Sequence, residues 1–278
     1  MTARTSGSID RVLVLGCGYA GAAVARLARE RGLSVLTHVR SDARAIALRA
    51  EGFEVLQRAS LGPNDAALSN AVTASTHVVV AFPPDGSTDA SIAPLLARAA
   101  AVTYVSSTGV YGDLRGVIDD TTALPDPPSA RAAKILDAED VYRQVGATVL
   151  RCPGIYGPER GLHMRVVRGE HEIPGDGTRY LSRIHVVDLA QLVIASAALR
   201  GATMVVGDDE PARHIDVVSF ICTSWAVPMP PSVPLESVHE SLRADRRVDA
   251  SRALAETNVV LRYPTYREGM AKLRAPAD

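Results

Sequence analysis

Cysteine is scarce in this sequence, and the few that occur lie far apart. Cys17, Cys152 and Cys222 form no Cys-x-x-Cys pair and no other spacing typical of metal ligands. The pattern therefore predicts no metal site. It favours three buried thiols that behave as small apolar side chains in a reducing compartment.

Long apolar runs are also missing. No stretch approaches the ~20 consecutive apolar residues that a membrane-spanning helix needs. The first ten residues, MTARTSGSID, are polar and lack the apolar core of a signal peptide. From these absences we expect a cytoplasmic protein without a membrane partner.

An excess of charge of either sign is absent as well. The 30 basic residues face 31 acidic ones, so the formal net charge is −1. Nothing in this balance favours nucleic acid or an anionic membrane as the main partner. We expect a small-molecule substrate instead. Any anionic group of that substrate would be held by local features of its site and not by the overall charge of the protein. The sequence leaves the oligomeric state open, a homodimer included.

Apolar residues, in contrast, are plentiful: they make up 47% of the 278 positions, enough for a sizeable core. In the first 150 residues, short apolar runs alternate with Ala-rich helical stretches. The predicted strands are 11–15, 34–39, 53–57, 77–82, 102–106 and 148–151, and the predicted helices are 21–31, 91–101 and 132–144. Because the apolar runs are nearly continuous, we expect a parallel, doubly wound α/β sheet that is buried on both faces.

The alternation of strand and helix ends after residue 152. Residues 153–183 are rich in glycine, proline and charge, and 226–234 form a Pro-rich connector. Residues 184–199 indicate a helix with its lead-in, and 204–206 indicate one returning strand. The predicted division is therefore a Rossmann domain of residues 1–153 and 184–222, and a smaller, discontinuous substrate-binding lobe of residues 154–183 and 223–278.

A glycine motif, GCGYAG, lies between the first predicted strand and the first predicted helix. In this spacing Gly16 permits a tight turn, Gly18 lets the backbone approach a pyrophosphate, and Gly21 allows close packing of helix on strand. Backbone N–H groups and the helix dipole would then hold the phosphates. The residues expected to contact a dinucleotide here are Gly16, Gly18, Tyr19, Ala20 and Gly21.

The end of the second predicted strand bears on the choice of dinucleotide. NAD-specific sites usually place Asp or Glu there to accept from the ribose 2′-hydroxyl. This chain has Arg40 and Ser41 at that point, with Asp42 beyond them. A guanidinium and a hydroxyl suit a 2′-phosphate. The pattern favours NADP(H); NAD(H) stays compatible, since Arg40 as a solvated loop cation would fit the same sequence.

The fourth predicted strand ends in VAFPPD. Phe82 and Pro83 are expected at the carboxyl edge of the sheet, where doubly wound folds bind ligands. We assign both residues to the cofactor site, although a structural turn is equally compatible with them.

Five segments together resemble one enzyme superfamily. They are GCGYAG at 16–21, SSTGVYG at 106–112, LRCPGIYGP at 150–158, RIHVVDLA at 183–190 and LRYPTYREGM at 261–270. The chain resembles the extended and atypical short-chain dehydrogenase/reductases, which include the NAD-dependent sugar epimerases and dehydratases. The last two segments are most similar to the atypical branch, whose members often lack the complete catalytic set.

This resemblance implies roles for residues near the nicotinamide. Ser107 takes the place of the family's catalytic Ser or Thr, and Lys134 takes that of the lysine that binds the nicotinamide ribose. Cys152 and Pro153 lie where the family's sixth strand delivers a loop beside the nicotinamide. Within the RIHVVDLA segment, His185 and Asp188 match a helix start near the cleft between the lobes.

The catalytic tyrosine of the family is missing. Ala130 stands four residues before Lys134, where that tyrosine belongs, and no Tyr-x-x-x-Lys occurs anywhere in the chain. General acid–base help is typically worth ~10²–10⁴-fold, so a substitute is needed for fast turnover. The candidates are Tyr111, Lys134 acting through water, and His163, His171 or His185. Each also has a structural interpretation, and for Tyr111 that interpretation is a packing position.

Two functional hypotheses follow. The first is an NADP(H)-dependent oxidoreductase, or else an epimerase/dehydratase, that acts on a small or nucleotide-linked carbonyl or alcohol. The second is a non-catalytic NAD(P)-binding redox sensor or scaffold, which Ala130 favours. Five arginines of the second lobe would meet an anionic substrate group, or else lie in solvent: Arg160, Arg165, Arg168, Arg179 and Arg183.

Overall fold

The computed structural model describes residues 8–238 and 243–274, which form fifteen strands. These are β1 (Arg11–Leu15), β2 (Ser34–Val39), β3 (Glu54–Gln57), β4 (Thr76–Val80), β5 (Ala101–Ser107), β6 (Arg115–Ile118), β7 (Thr148–Cys152), β8 (Gly154–Tyr156), β9 (Ile173–Pro174), β10 (Tyr180–Leu181), β11 (Arg183–His185), β12 (Thr203–Val205), β13 (Ala212–Arg213), β14 (Ser232–Val233) and β15 (Asp245–Val248).

Seven of these strands form one parallel sheet in the order β12-β7-β5-β4-β1-β2-β3. The remaining strands pair two by two, as β6 with β15, β8 with β11, β9 with β14 and β10 with β13. In the large sheet the strand order reverses between β1 and β4. The carboxyl ends of these two strands therefore open the crevice in which doubly wound folds bind their ligands.

The described residues also form ten α-helices, which flank or extend the sheet. They are α1 (Tyr19–Glu30), α2 (Asp42–Ala50), α3 (Ala66–Ala71), α4 (Thr88–Leu96), α5 (Ala130–Arg143), α6 (Leu162–Val167), α7 (Val186–Ala195), α8 (His214–Trp225), α9 (Ser251–Thr257) and α10 (Tyr266–Arg274).

Helices cover both faces of the central sheet. On β1, Val12 and Val14 pack into one core with α1, α2, α7 and α9. The alternate residues Leu13 and Leu15 pack into a second core with α3, α4 and α5. Burial on both faces accounts for the nearly continuous apolar runs and confirms the predicted doubly wound α/β fold.

The predicted strands are all present. They correspond to β1–β5 and β7, and the predicted returning strand is β12. The helix predicted at 91–101 instead begins at Thr88 and ends at Leu96. The reason lies in the preceding loop, where the Asp85 carboxylate accepts from the backbone N–H groups of Ser87 and Thr88 and organises the first turn.

The second lobe has its own core, which includes Tyr156, Val217, Ile221 and Met270. Two helices pack in a different lobe from the one in which the predicted division places them. Helix α8, predicted with the Rossmann domain, contributes Val217 and Ile221 to this second core. Helix α9, predicted with the smaller lobe, packs against α7 and β12. Chain order alone does not reveal which core receives the apolar face of each helix.

No helix in the described ranges is long and apolar enough to cross a membrane. The same ranges contain no group of three or more His, Cys, Asp or Glu side chains that could hold a metal ion. All three cysteines are buried free thiols, as their spacing predicted.

Candidate functional site

The turn between β1 and α1 needs each of its glycines for a different reason. Gly16 has a φ of +83°, and a Cβ there would lie 2.8 Å from the Phe82 backbone nitrogen. A Cβ on Gly21 would lie 2.8 Å from the Gly16 carbonyl oxygen. A Cβ on Gly18 would meet nothing within 4 Å, so space lies open above this residue. Two glycines thus shape the turn, and the third leaves room beside it.

Tyr19 and Ala20 begin helix α1 at this turn. Ala20 is half-buried against the core beneath the helix. The Tyr19 hydroxyl donates to the Pro158 carbonyl oxygen at 2.8 Å, and the Arg160 guanidinium lies 5.4 Å from the Tyr19 ring centroid. Tyr19 therefore connects the glycine turn with the start of the second lobe.

The loop after β2 is basic. Arg40 is exposed directly after the strand, and Ser41 caps helix α2 by accepting from the Arg44 backbone N–H at 3.4 Å. The Asp42 carboxylate is hydrogen-bonded to the Gln57 amide. Two cations, at positions 40 and 44, therefore stand where an NAD-specific site has an acid.

Arg44 is a site residue that the sequence did not single out. Its guanidinium donates to the carbonyl oxygens of Cys17 and Gly18, at 3.0 and 3.2 Å. It thereby joins the glycine turn to the loop after β2. Its position four residues after Arg40, in the first turn of α2, is the signal that could have found it.

Phe82 and Pro83 follow β4 at the same edge of the sheet. The Phe82 backbone forms the close neighbour of Gly16, and Pro83 is exposed beside it. Both residues therefore lie at the carboxyl edge of the sheet, and their contact with a cofactor stays a prediction.

A cavity of about 1000 Å³ lies between the carboxyl ends of β5 and β7 and the second lobe. Ser107, Cys152 and Pro153 are part of its wall. The charged and imidazole side chains that line it are Arg131, Arg160, Arg165, Arg183, Arg246, Asp113, His171 and His214. Among the described residues, five arginines thus face one carboxylate in this cavity.

Ser107 is positioned by backbone pairing. It is the last residue of β5, opposite Cys152 of β7 in the strand register. Its Oγ accepts from the Gly109 backbone N–H at 3.0 Å. The hydroxyl proton is therefore free to be donated into the cavity.

Tyr111 and Lys134 lie away from this cavity. Tyr111 is fully buried; its hydroxyl donates to the Asp119 carbonyl oxygen at 3.2 Å and accepts from Arg151 Nη1 at 3.0 Å. Burial raises the pKa of this phenol above its ordinary value. The structure gives Tyr111 a packing position. Lys134 is exposed on α5.

Ala130 is the first residue of α5, and the neighbouring residues Ser129 and Arg131 line the cavity. The Ser129 Oγ accepts from the Ala132 backbone N–H at 3.2 Å and so caps the helix. The first turn of α5 therefore reaches the cavity without bringing a phenol to it.

A buried ion network supports the wall behind Ser107. The fully buried Glu139 carboxylate accepts from Ser106 Oγ at 2.6 Å and from Arg151 Nη2 at 2.8 Å. Ser106 is the residue before Ser107 on β5, and Arg151 precedes Cys152 on β7. The network thus fixes the ends of both strands.

Cys152 is a buried thiol. Its Sγ donates to the Leu150 carbonyl oxygen at 3.4 Å, and burial raises its pKa above the ordinary value. His163 is also buried, with its ring centroid 5.8 Å from that of Trp225, and burial lowers its pKa.

His185 and Asp188 have structural partners. His185 Nδ1 accepts from the Val187 backbone N–H at 3.3 Å, and burial lowers the pKa of this imidazole to about 4. The Asp188 carboxylate accepts from the backbone N–H groups of Arg262 and Tyr263, at 2.7 and 3.0 Å. The Asp188 carboxylate thus joins the start of α7 to the C-terminal segment, where the Tyr263 ring centroid lies 4.2 Å from that of His185.

Solved structures share this fold. A functionally unknown conserved protein from Silicibacter pomeroyi has a TM-score of 0.80 and 30% sequence identity, with 95% of this chain and 98% of that chain covered. MoeE5 in complex with UDP-glucose and NAD has a TM-score of 0.76 and 21% identity over 95% of this chain and 97% of that chain. The human epimerase family protein SDR39U1 (isoform 2) with NADPH has a TM-score of 0.74 and 15% identity over 95% and 99%.

No protein-family model matches the chain, and no curated protein matches it. The 30% identity to the Silicibacter pomeroyi protein nevertheless extends over 95% of this chain. The chain therefore belongs to one family with that protein, and it shares its fold with solved structures of the epimerase and NAD-dependent epimerase/dehydratase type.

Proposed function

We propose that this protein is an NADP(H)-dependent oxidoreductase that interconverts a carbonyl and an alcohol on an anionic substrate, small or nucleotide-linked. One observation carries the proposal. The open glycine turn and the cavity that Ser107 lines both lie at the carboxyl ends of strands of one sheet. A cofactor on the turn and a substrate in the cavity would then be neighbours.

The glycine turn fits a dinucleotide. The space above Gly18 admits a pyrophosphate, and the N-terminus of α1 supplies N–H groups and a favourable dipole. NAD is bound in the MoeE5 structure, and NADPH in the structure of the human protein. When bound, the nicotinamide would donate or accept a hydride; Lys134, Cys152 and Pro153 stay our candidates for holding its ribose and ring.

Arg40 and Arg44 support the preference for NADP(H). Arg44 is held by two carbonyl oxygens of the glycine turn, and Arg40 extends from the end of β2. Two guanidinium groups complement a 2′-phosphate, with which a carboxylate at this place would clash electrostatically.

The lining of the cavity supports an anionic substrate. Five arginines face it, and Asp113 is their single acidic counterpart among the described lining residues. Of the five arginines that the sequence suggested, Arg160, Arg165 and Arg183 line the cavity, joined by Arg131 and Arg246. Such a surface attracts phosphate or carboxylate groups and leaves Ser107 to bind the reacting oxygen.

A fluorescence titration of NADPH and NADH tests the cofactor assignment. We expect NADPH to bind the wild type at least about tenfold more tightly, a difference of about 1.4 kcal/mol. Arg40→Ala should remove most of this preference and leave NADH binding unchanged. Arg98→Ala, whose guanidinium bonds Ser69 instead, is the control. Equal affinities of the wild type for both cofactors would contradict the 2′-phosphate assignment.

Turnover tests the activity itself. The wild type should oxidise NADPH with at least one member of a panel of phosphorylated and nucleotide-linked carbonyl compounds. Ser107→Ala should lower kcat about 10²-fold, because a hydrogen-bond donor to the reacting oxygen is lost.

Ala130 favours a second function, a non-catalytic sensor that binds NADP(H) and changes its partner contacts. NADPH binding without oxidation across the whole panel would favour this function. Measurable turnover would eliminate it.

A further inference from the structure

A short turn of the second lobe contacts both the start of α1 and the cavity. It comprises residues 157–160, Gly-Pro-Glu-Arg, between β8 and α6, and we call it the Arg160 turn. The strand before it is held by pairing with β11, in which Gly154 lies opposite Arg183. Arg160 itself is exposed and lines the cavity. The turn therefore presents a cation of the second lobe to the cavity.

The backbone of the Arg160 turn is fixed. The Gly157 N–H donates to the Arg160 carbonyl oxygen at 2.9 Å, and the Arg160 N–H donates to the Gly157 carbonyl oxygen at 3.2 Å. Glu159, which lies between them, has a φ of +64°, a left-handed conformation that is uncommon for a residue other than glycine. Such conformations persist only where the surrounding structure enforces them, and they cluster at ligand sites. The backbone thus sets the direction in which the Arg160 side chain leaves the turn.

The Arg160 turn packs against Tyr19, the residue that directly follows Gly18. The Tyr19 hydroxyl donates to the Pro158 carbonyl oxygen at 2.8 Å. A Cβ on Gly157 would lie 2.7 Å from the same hydroxyl oxygen, so this approach leaves no room for a side chain at position 157. Burial raises the pKa of Tyr19 to about 12, and the phenol therefore keeps the proton of this bond near neutral pH. The contact joins the Arg160 turn to the glycine turn.

The Arg160 guanidinium lies against the ring of the same tyrosine. Its central carbon is 5.4 Å from the Tyr19 ring centroid, within the range of a cation–π contact. The guanidinium makes no hydrogen bond and no ion pair with any residue in the described ranges. The neighbouring Glu159 carboxylate is exposed and is not paired with it. The N–H donors of the guanidinium are therefore held in one place and stay available to a ligand.

The glycine turn indicates which ligand group is the neighbour of this cation. The open space above Gly18 is where the diphosphate of a dinucleotide would lie, and Tyr19 is the next residue along the chain. The ring under the guanidinium thus belongs to the neighbour of the glycine that leaves the diphosphate its room. The first turn of α1 contains no acidic residue that would repel an anion. A guanidinium matches phosphate oxygens with two parallel hydrogen bonds.

We propose that Arg160 binds the diphosphate of the dinucleotide from the side of the second lobe, and that the Tyr19 ring positions its guanidinium for this contact. The proposal rests on the proposed function. It adds one side chain of the second lobe to a diphosphate site that the glycine turn forms from backbone groups. A substrate in the cavity offers phosphate oxygens as well, so the test uses cofactors in the absence of substrate.

The other arginines around the glycine turn have different places or partners. Arg40 and Arg44 lie directly after β2, on the side of the ribose 2′ position. Arg26, on α1, is paired with the Glu51 carboxylate at 2.7 Å. Arg40 should therefore discriminate between NADPH and NADH. Arg160 should act on both alike, because the two cofactors carry the same diphosphate.

Calorimetric titration with NADPH, NADH and ADP-ribose tests the contact; ADP-ribose has the diphosphate but no nicotinamide. Arg160→Ala should weaken the binding of all three by the same factor, about ten- to a hundredfold, because a charge-assisted contact is lost. The ratio of NADPH to NADH affinity should stay that of the wild type. Arg168→Ala, an exposed arginine of the same lobe that does not line the cavity, is the matched control and should bind all three like the wild type.

Each other outcome has a distinct meaning. Unchanged NADH affinity in Arg160→Ala would overturn this proposal alone and leave Arg160 to a substrate phosphate. A loss for NADPH and NADH without one for ADP-ribose would overturn it too, since Arg160 would then act at the nicotinamide. An equal loss in Arg168→Ala would reduce the effect to overall charge. A wild type that binds none of the three would overturn the proposed function, and this proposal with it.

Further variants separate the charge of Arg160 from its packing. Arg160→Met keeps an apolar contact with the Tyr19 ring, and it should lose as much NADH affinity as Arg160→Ala. Arg160→Lys should restore part of the affinity, because it keeps the charge without the planar guanidinium. Added NaCl should weaken NADH binding less in Arg160→Met than in the wild type, since salt screens an exposed charge. Full NADH affinity in Arg160→Met would overturn the proposal.

Tyr19→Phe tests the positioning role. It keeps the ring and loses the hydrogen bond to Pro158, so the NADH affinity should fall less than in Arg160→Ala. Both hydrogen bonds within the Arg160 turn are made by the backbone, and the variants should therefore unfold at the wild-type urea midpoint. A larger loss of NADH affinity in Tyr19→Phe than in Arg160→Ala would assign the contact to the phenol and overturn the proposal.

Discussion

The glycine turn and the arginine-lined cavity lie at one edge of the same sheet but are built in opposite ways. At the turn, the absence of side chains on Gly16 and Gly21 permits the close backbone approach, and its absence on Gly18 leaves open space. At the cavity, side chains from β5, β7, β11, α5 and the second lobe converge. A site made by missing side chains is local in the sequence, whereas one made by converging side chains depends on the whole fold.

The largest effect on stability is expected from disrupting the ion network behind the cavity wall. In Glu139→Ala the buried Arg151 guanidinium loses its carboxylate, so the free energy of unfolding should fall by about 3–5 kcal/mol. Urea unfolding measures the change. Asp140→Ala, which removes an exposed partner of Arg143, should cost less than about 1 kcal/mol. Equal losses in the two variants would mean that the network does not support the cavity wall.

An intermediate effect is expected at the glycine turn. Gly18→Ala introduces a methyl group that meets no protein atom within 4 Å, so the free energy of unfolding should change by less than about 1 kcal/mol. The methyl group would occupy the pyrophosphate space, and NADPH affinity should fall at least tenfold, or about 1.4 kcal/mol. Gly62→Ala, also open but far along the chain, is the control for both measurements. Undiminished NADPH affinity in Gly18→Ala would place the phosphates elsewhere.

At neutral pH the smallest effect on stability is expected at the imidazole pair of the cavity. His171 and His214 have native pKa values of about 4, below the ordinary 6.5, because burial and the nearby Arg165 charge disfavour their protonation. As the pH falls from 6.5 to 4, the unfolded chain takes up protons that the native pair refuses, and stability is lost. A double variant, His171→Gln with His214→Gln, should reduce this loss, by up to about 1.4 kcal/mol per pH unit for each imidazole in this range. Unfolding followed from pH 7 to pH 4 checks it, and parallel curves for variant and wild type would refute it.

The sequence predicted the first half of the fold closely. Strands β1 and β2 have the predicted bounds, since their apolar runs are buried on both faces and end at turns. The three glycines form the turn between β1 and α1 for the same local reason, and their contact with a dinucleotide stays a prediction. Most of helix α8 lies in the range predicted with the Rossmann domain, yet it packs in the core of the second lobe, because an apolar face does not by itself specify its partner.

The candidate site was only partly predictable. Ser107, Cys152 and Pro153 follow strands whose ends meet at one edge, and all three line the cavity. Arg131, Arg246 and His214 were not identified, because nothing local separates a cation or imidazole that lines a cavity from one in solvent.

The pairing of Ser107 with Cys152 and of Gly154 with Arg183 has a consequence for how such a protein changes over time. Those positions are held by main-chain hydrogen bonds, which do not depend on which side chain each residue carries. Exchanging one side chain at this edge leaves the others where they were. The residue at the start of α5 can therefore change while the serine at the end of β5 keeps its register, without rebuilding the sheet.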